Sequence, residues 1–469
     1  MKLIFDARPP QVAAGATRVC FVTREERAKR LPRVSEQEFS AKPNALLHHH
    51  HEATLYVGLG ERAKVKAATL RSAAGAAAMA LKKIGRTQLA VELGGWPQFA
   101  GVVVEGIALA DYRFDRFATK RNEPIETVHV QVPARDLAAA KRAGQRALAI
   151  AEATNAIRDI GNLPGNVLFP ESLAARAVKL ARAAKLKITV LDEKKLRARG
   201  FGGLLAVGQG SERGPRFIIL EHRGGPKSQP PIALVGKAIT FDTGGISIKP
   251  AASMEDMIFD KCGGLAVLGA MTAISRLKLK SNVVGLIASA ENMPGGNAYR
   301  PGDIVTTYDG KHIEIINTDA EGRVVLADAI AYARRDCRAA AIIDLATLTG
   351  ACVVALGEYA AGLFTSDDPL RDRLLAAAEM TGERLWPLPL FPEHEEQIKS
   401  DVALIKNAGG RLGGASTAAA FLKAFAENTP WAHLDIAPVA HTGKDRADLA
   451  RGATGFGVRT LVELVERWR

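Results

Sequence analysis

Short apolar runs rich in β-branched residues recur through the last two-thirds of this chain, with helix-length stretches between many of them. That alternation restricts the fold more than any other feature. The runs fall at 187–192 (KITVLD), 216–222 (RFIILEH), 231–236 (PIALVG), 282–290 (NVVGLIASA), 312–317 (HIEIIN), 339–346 (AAAIIDLA) and 431–437 (WAHLDIA). Helical patterns lie at 261–277, 323–336 and 415–427. Apolar strands separated by helices predict a mixed, largely parallel sheet flanked by helices on both faces. In such sheets, ligands collect beyond the carboxyl ends of the strands. Lys237 and Asp319 each follow the end of an expected strand, which places both at that edge.

The first ~130 residues show the same layering on a smaller scale. Strands are expected at 55–60, 88–93 and 127–132, and an Ala-rich helix at 62–84. Residues 136–160 read as one long amphipathic helix, closed by the turn-rich segment GNLPGNVLFP at 161–170. With 469 residues, the chain divides into a smaller N-terminal α/β domain (1–135), a linker helix (136–160) and a larger C-terminal α/β domain (161–469).

The opening MKLIFDARPP lacks the apolar stretch of a signal peptide. The longest apolar run, about 339–356, is broken by Asp344, Thr347, Thr349 and Gly350, so it reads as buried strand and loop rather than a membrane span. Four cysteines without metal or disulfide spacing fit a reducing cytoplasm. The net charge of +13 is concentrated at the front: residues 1–150 hold 24 Lys+Arg against 14 Asp+Glu. Such a surface can attract polyanions, DNA included, but with no basic motif interleaved with aromatics a solubilising surface is the expected reading. The run His48-His49-His50-His51 cannot present four rings on one face, and a solvated loop is expected there.

Chemistry is concentrated in two stretches, NTDAEGR at 317–323 and VGKAITFDTGGISIKPAASMEDMIFDKCGG at 235–264. Together they carry four carboxylates (Asp242, Asp260, Asp319, Glu321) and three cations (Lys237, Lys249, Arg323). Any one of these aspartates alone would be read as a turn or helix cap. The joint pattern differs, because a cluster of like charges must be paired or must hold metal. Four negative charges match two divalent cations. An oxygen-rich set without His or Cys points to Mg, Mn, Co or Zn. Bridging carboxylates between two ions would generate a hydroxide nucleophile from water. Asp319 and Glu321, two apart, share one side if the chain is extended. Asp260 is expected at the start of helix 261–277, and Gly244 and Gly245 permit a tight loop. Of the cations, one amine can serve as a metal ligand if neutral and another can stabilise an oxyanion. The guanidinium suits a carboxylate or bicarbonate.

These stretches closely resemble the leucine aminopeptidases, also called cytosol or leucyl aminopeptidases. The likeness continues through DLATLTGA (344–351), NAGGRLGGASTAAAFL (407–422) and WAHLDIA (431–437), and NLPGNV (162–167) resembles the family's domain-entry motif. The resemblance implies that Lys237, Asp242, Asp260 and Glu321 hold a tighter metal, and that Asp242, Asp319 and Glu321 hold an exchangeable one. It implies that Lys249 polarises the scissile carbonyl and that Arg323 anchors a bicarbonate acting as base. Met257, Thr347, Ala437 and Ala440 would line the pocket for the N-terminal side chain, with Leu348 and Gly350 on the peptide backbone. The implied activity is removal of N-terminal residues, leucine or other apolar ones, from peptides by a hexameric cytoplasmic enzyme. Three departures are visible. Asp260-Lys261-Cys262-Gly263-Gly264 is read as one residue longer than the family's usual Asp-Met-Gly-Gly, Thr243 and Val324 replace a common serine and leucine, and the segment LDIAPVAH differs. Pro438 stands where the family usually has glycine, and Ala440 is small for a pocket wall. Lys261 and Cys262 are expected close to the metals. A nucleic-acid-binding role through the basic first region is the alternative of a different class.

Overall fold

A computed structural model describes residues 1–7, 16–119, 121 and 123–468; residues 8–10 of the opening run lie outside it. The chain folds into two compact units. The first comprises Met1–Asn155 and takes back Gly443–Gly452 from late in the chain; the second comprises Ala156–Thr442 and Ala453–Arg469. The helix expected at 136–160 runs Leu137–Gly161, so the division falls within it.

The first unit holds a six-stranded sheet in the order Lys2–Asp6, Thr127–Gln131, Gln88–Glu92, Thr17–Thr23, Thr54–Gly60, Leu46–His49. Its neighbours are parallel except for the last pair, which is antiparallel. The helix expected at 62–84 forms as Ala67–Lys83. The returning segment packs tightly here: a Cβ on Gly75 would lie 2.5 Å from the Ala447 carbonyl oxygen, and Arg113 pairs with Asp445 at 2.7 Å. The expectation of a solvated loop at the four histidines is corrected in part. His48 and His49 belong to the edge strand, paired with Leu55 and Thr54, because Leu46 and Leu47 ahead of them complete a β-type run. His50 and His51 are exposed in a 3-10 helix, His50–Glu52.

In the second unit, eight strands form one sheet. In chain order they are β1 (Lys187–Leu191), β2 (Arg216–Arg223), β3 (Ile232–Asp242), β4 (Asn282–Asn292), β5 (Ala341–Ala346), β6 (Ala361–Phe364), β7 (Leu385–Pro387) and β8 (Trp431–Asp435). Their spatial order is β7-β6-β8-β5-β3-β4-β2-β1. The centre, β8-β5-β3-β4, is parallel, with antiparallel pairing toward both edges. β3, β4 and β5 are buried along nearly their whole length, which is why they read as unbroken apolar runs rather than alternating ones.

Helices α1 (Cys262–Leu277) and α2 (Glu321–Arg335) pack on this sheet. α1 approaches it backbone to backbone. A Cβ on Gly263 would sit 2.2 Å from the Leu345 carbonyl oxygen, and one on Gly236 of β3 would sit 2.5 Å from the Gly264 Cα. The stretch Met254–Leu277 is apolar and long enough to cross a membrane by composition, yet 83% of its most apolar window is buried inside the protein.

Two strand expectations are corrected. β3 does not stop at 236 but runs to Asp242, since Ala238–Phe241 is itself β-prone and its backbone pairs with β4. Lys237 is therefore in mid-strand. The run 312–317 forms only a short strand, His312–Glu314, in a separate three-stranded sheet with Ile304–Thr306 and Ile405–Lys406. Beyond it, the Asn407 side chain accepts the N–H of Ile316 (2.8 Å) and of Asn317 (3.2 Å), replacing the acceptors of a neighbouring strand. Asp319 consequently lies in a turn and not at an end of the main sheet.

Candidate metal centre

The carboxyl ends of the central strands supply a ring of polar groups. Asp242 ends β3 and faces Asn292 at the end of β4 in register. Thr347 follows β5, and Asp435 ends β8. After β3, Gly244 (φ 87°) and Gly245 (φ 67°) turn the chain in a conformation that side chains disfavour. A Cβ on Gly244 would also press on the Ser247 carbonyl oxygen at 2.5 Å. This turn is stitched to the 317–323 stretch. Thr318 Oγ1 donates to the Gly244 carbonyl (2.6 Å) and accepts from the Ser247 N–H (2.7 Å), while Ser247 Oγ accepts the Thr318 N–H (3.1 Å). The two chemical stretches meet through these bonds.

All four carboxylates converge. Oxygens of Asp242, Asp319 and Glu321 lie within 4.8 Å of one another. Glu321 is the first residue of α2 and Asp319 lies in the preceding turn, so the two reach one point without the extended chain expected. Asp260 follows the 3-10 helix Met254–Phe259 and precedes α1 by two residues. It joins the cluster through Lys237, whose Nζ is 2.8 Å from Asp260 Oδ1, 2.6 Å from Glu321 Oε1 and 3.0 Å from the Thr347 carbonyl. Room for this lysine comes from Gly322: a Cβ there would lie 2.7 Å from its Cδ and Nζ. Lys249, half-buried, bridges Asp242 (2.9 Å) and Asp319.

Electrostatics mark the cluster as short of positive charge. Burial, with Asp242 adding to it, raises Glu321 to about 8 and Asp260 to about 6, and Asp319 is raised for the same reasons. Burial works to lower Lys237 and Lys249, but the surrounding carboxylates outweigh it and hold both ammoniums above their ordinary range. Arg323 is buried and lowered to about 10 by that burial; its Nη1 donates to the Asn407 carbonyl (3.0 Å). Neither its Nε nor Asp260 Oδ2 has a hydrogen-bond partner among the described residues.

Of the six residues expected to touch substrate, Thr347 has a bond the sequence did not suggest: its Oγ1 donates to Asp260 Oδ1 (2.7 Å). Leu348 and Ala437 donate their N–H groups to Asp435 Oδ1 (3.1 and 3.2 Å). Gly350 opens the helix Gly350–Leu356, Ala440 is buried, and Met257 lies in the 3-10 helix before Asp260. Four positioning residues were missed: Asn292, Thr318, Asn407 and Asp435. Asn292 Nδ2 donates to Asp242 Oδ1 (2.8 Å) and to the Thr318 carbonyl (3.1 Å). Lys261 and Cys262 are both buried. Burial lowers the lysine to about 8 and pushes the thiol to about 12.

Residues 155–462 match the model of the cytosol aminopeptidase family catalytic domain, and residues 27–121 match that family's N-terminal domain. The chain belongs to the cytosol aminopeptidase family. Membership makes it a metal-dependent aminopeptidase. It is 46% identical over 424 residues to a protein described as "Probable cytosol aminopeptidase" from Syntrophotalea carbinolica, covering 88% of this chain and 85% of that one. A protein of the same description from Roseiflexus castenholzii is also 46% identical over 424 residues, with 88% and 87% covered. Among solved structures, the bottromycin maturation enzyme BotP in complex with Mn superposes with a TM-score of 0.87 at 37% identity, over 96% of this chain and 99% of that one. The two-domain α/β architecture expected from sequence is that of this cytosol aminopeptidase family.

Proposed function

We propose that the protein is a dinuclear aminopeptidase of leucyl type, releasing leucine and other apolar residues from peptide N-termini as a cytoplasmic homo-hexamer. The convergence of the Asp242, Asp319 and Glu321 oxygens within 4.8 Å carries this reading. The residues fit divalent ions. The donors are carboxylates plus Lys237, whose amine would serve once its proton is lost; burial, with Asp242 adding to it, raises the Asp260 and Glu321 carboxyls. Asp260 Oδ2 is buried without a hydrogen-bond partner among the described residues. Lys237, Asp242, Asp260 and Glu321 would hold one ion, and Asp242, Asp319 and Glu321 the other. Mn or Zn is the first choice, with Mg or Co as further candidates. Bound there, such ions supply Lewis acidity and a water-derived nucleophile at neutral pH.

The remaining steps fall to the chain's own groups. Lys249 sits at the partly open side of the cluster, where its ammonium can donate to the oxyanion that develops on the scissile carbonyl. Arg323, its Nε without a hydrogen bond among the described residues, would hold a bicarbonate through its guanidinium, and that anion would supply a base. Met257, Thr347, Ala437 and Ala440 enclose the N-terminal side chain, while Leu348 and Gly350 receive the substrate backbone.

The test is hydrolysis of leucyl-p-nitroanilide by native, chelator-stripped and Mn- or Zn-reloaded protein. Activity should vanish on stripping and return on reloading. Absence of hydrolysis by loaded protein across a panel of aminoacyl amides and dipeptides would overturn the reading.

A further inference from the structure

The proposed side-chain pocket has walls on three separate segments, with Thr347 following β5. Met257 lies in the 3-10 helix Met254–Phe259; Ala437 and Ala440 lie in the turn after β8. That turn is set by the N–H groups of Val439 and Ala440 donating to the Ile436 carbonyl (3.0 and 2.9 Å). Thr454 holds it from behind, its N–H donating to the Ala440 carbonyl (3.0 Å) and its Oγ1 to the Val439 carbonyl (2.7 Å).

Next to Ala440, the ring of His441 reaches across to the helix. It stacks on Phe259 with centroids 4.6 Å apart and planes 8° from parallel, and its Nε2 is 3.9 Å from Asp256 Oδ2. Residues 256 and 259 are three apart, so in a helix of three residues per turn they stand on one face, which His441 covers. Met257 is a third of a turn away. Lys261 adds a second hold, its buried Nζ donating to the Ile258 and Leu163 carbonyls.

We propose that His441 is a positioning residue for substrate selectivity: by pinning the Met257 helix to the Ala437–Ala440 turn, it fixes the width of the pocket for the N-terminal side chain. The inference rests on the aminopeptidase reading of the site. Because Ala440 is small, the pocket's dimension depends on where the opposite wall is held. The stack carries the pin, since a half-exposed ion pair at 3.9 Å contributes little. The charged groups facing the ring are Asp256 and the exposed Glu358, and burial outweighs both and holds the imidazole below its ordinary pKa.

The experiment compares wild type, His441→Ala and His441→Phe. Steady-state kinetics on leucyl- and alanyl-p-nitroanilide are read together with hydrogen exchange over residues 254–259. His441→Ala should raise KM for the leucyl substrate about three- to tenfold, the range of an aromatic contact. The alanyl KM should stay within about twofold of wild type, and kcat should change less than KM. His441→Phe, which keeps the stack, should restore the wild-type KM ratio. Exchange at 254–259 should quicken in the alanine variant alone. Equal losses on both substrates, a phenylalanine variant as impaired as alanine, or unchanged exchange would each overturn the proposal. Wild-type protein that hydrolyses neither substrate would sink the aminopeptidase reading instead, and exchange would still decide whether the pin exists.

Discussion

Glu321 is buried, raised to about 8 and in contact with Lys237, and two predictions follow from that environment. In metal-free protein, Glu321 and Asp260 hold protons up to about pH 8 and 6, whereas in the unfolded chain they release them near 4.5 and 3.8. Between those limits the folded state binds more protons than the unfolded one, so stability falls as pH rises. The melting temperature of stripped protein should therefore decline from pH 5 to 8, and added Mn should cancel the decline. A flat profile in stripped protein would show that Lys237 and Lys249 already neutralise the cluster. The second prediction separates holding a metal from using one. Glu321→Gln should lose bound metal, measured by elemental analysis, and about two orders of magnitude or more in turnover. Lys249→Ala should keep its metal and lose about 10²-fold in kcat; loss of metal in that variant would contradict its role. The sequence displayed the charged residues of the cluster because four carboxylates in two short stretches are chemically conspicuous. It did not display Asn292, Asn407 or Asp435. Their importance lies in hydrogen bonds to residues 50 to 90 positions away, which leave no local pattern.

At the scale of elements, glycine decides whether helices can approach the site. Ala is favoured over Gly inside a helix by about 1 kcal/mol, so Gly322→Ala in α2 would ordinarily stabilise the protein. Here the new methyl would meet Lys237 at 2.7 Å. The variant should gain no thermal stability and should lose activity at least about tenfold through a displaced Lys237. Full activity with a raised melting temperature would refute the packing argument. Most strands and helices were legible because both faces of the central sheet are covered, which makes β3, β4 and β5 unbroken apolar runs. The failures are informative in the same terms. Lys237 read as the end of a strand because a charged residue inside a fully buried one is rare, and only its partners Asp260 and Glu321, remote in sequence, make it tolerable. The run 312–317 has strand composition, yet only His312–Glu314 joins a sheet, because Asn407 takes the backbone donors of Ile316 and Asn317.

For the whole molecule, the proposed hexamer is tested by sedimentation: a particle near six times the 49.9 kDa chain mass is expected, and a stable monomer would count against it. The basic balance of residues 1–150 motivates a test of DNA binding. If it exists, retention of a duplex by the full chain should fall steeply between about 50 and 200 mM salt, and salt-independent or absent retention would remove it.

The return of Gly443–Gly452 to the first unit has a consequence for how the protein is made. The N-terminal unit leaves the ribosome first but lacks the strap that lies against Gly75 and pairs with Arg113. At elongation rates of ~5–20 residues per second, that unit waits tens of seconds for its last ten residues. During that interval it lacks the contacts this strap supplies, and expressing residues 1–155 alone would make that absence permanent.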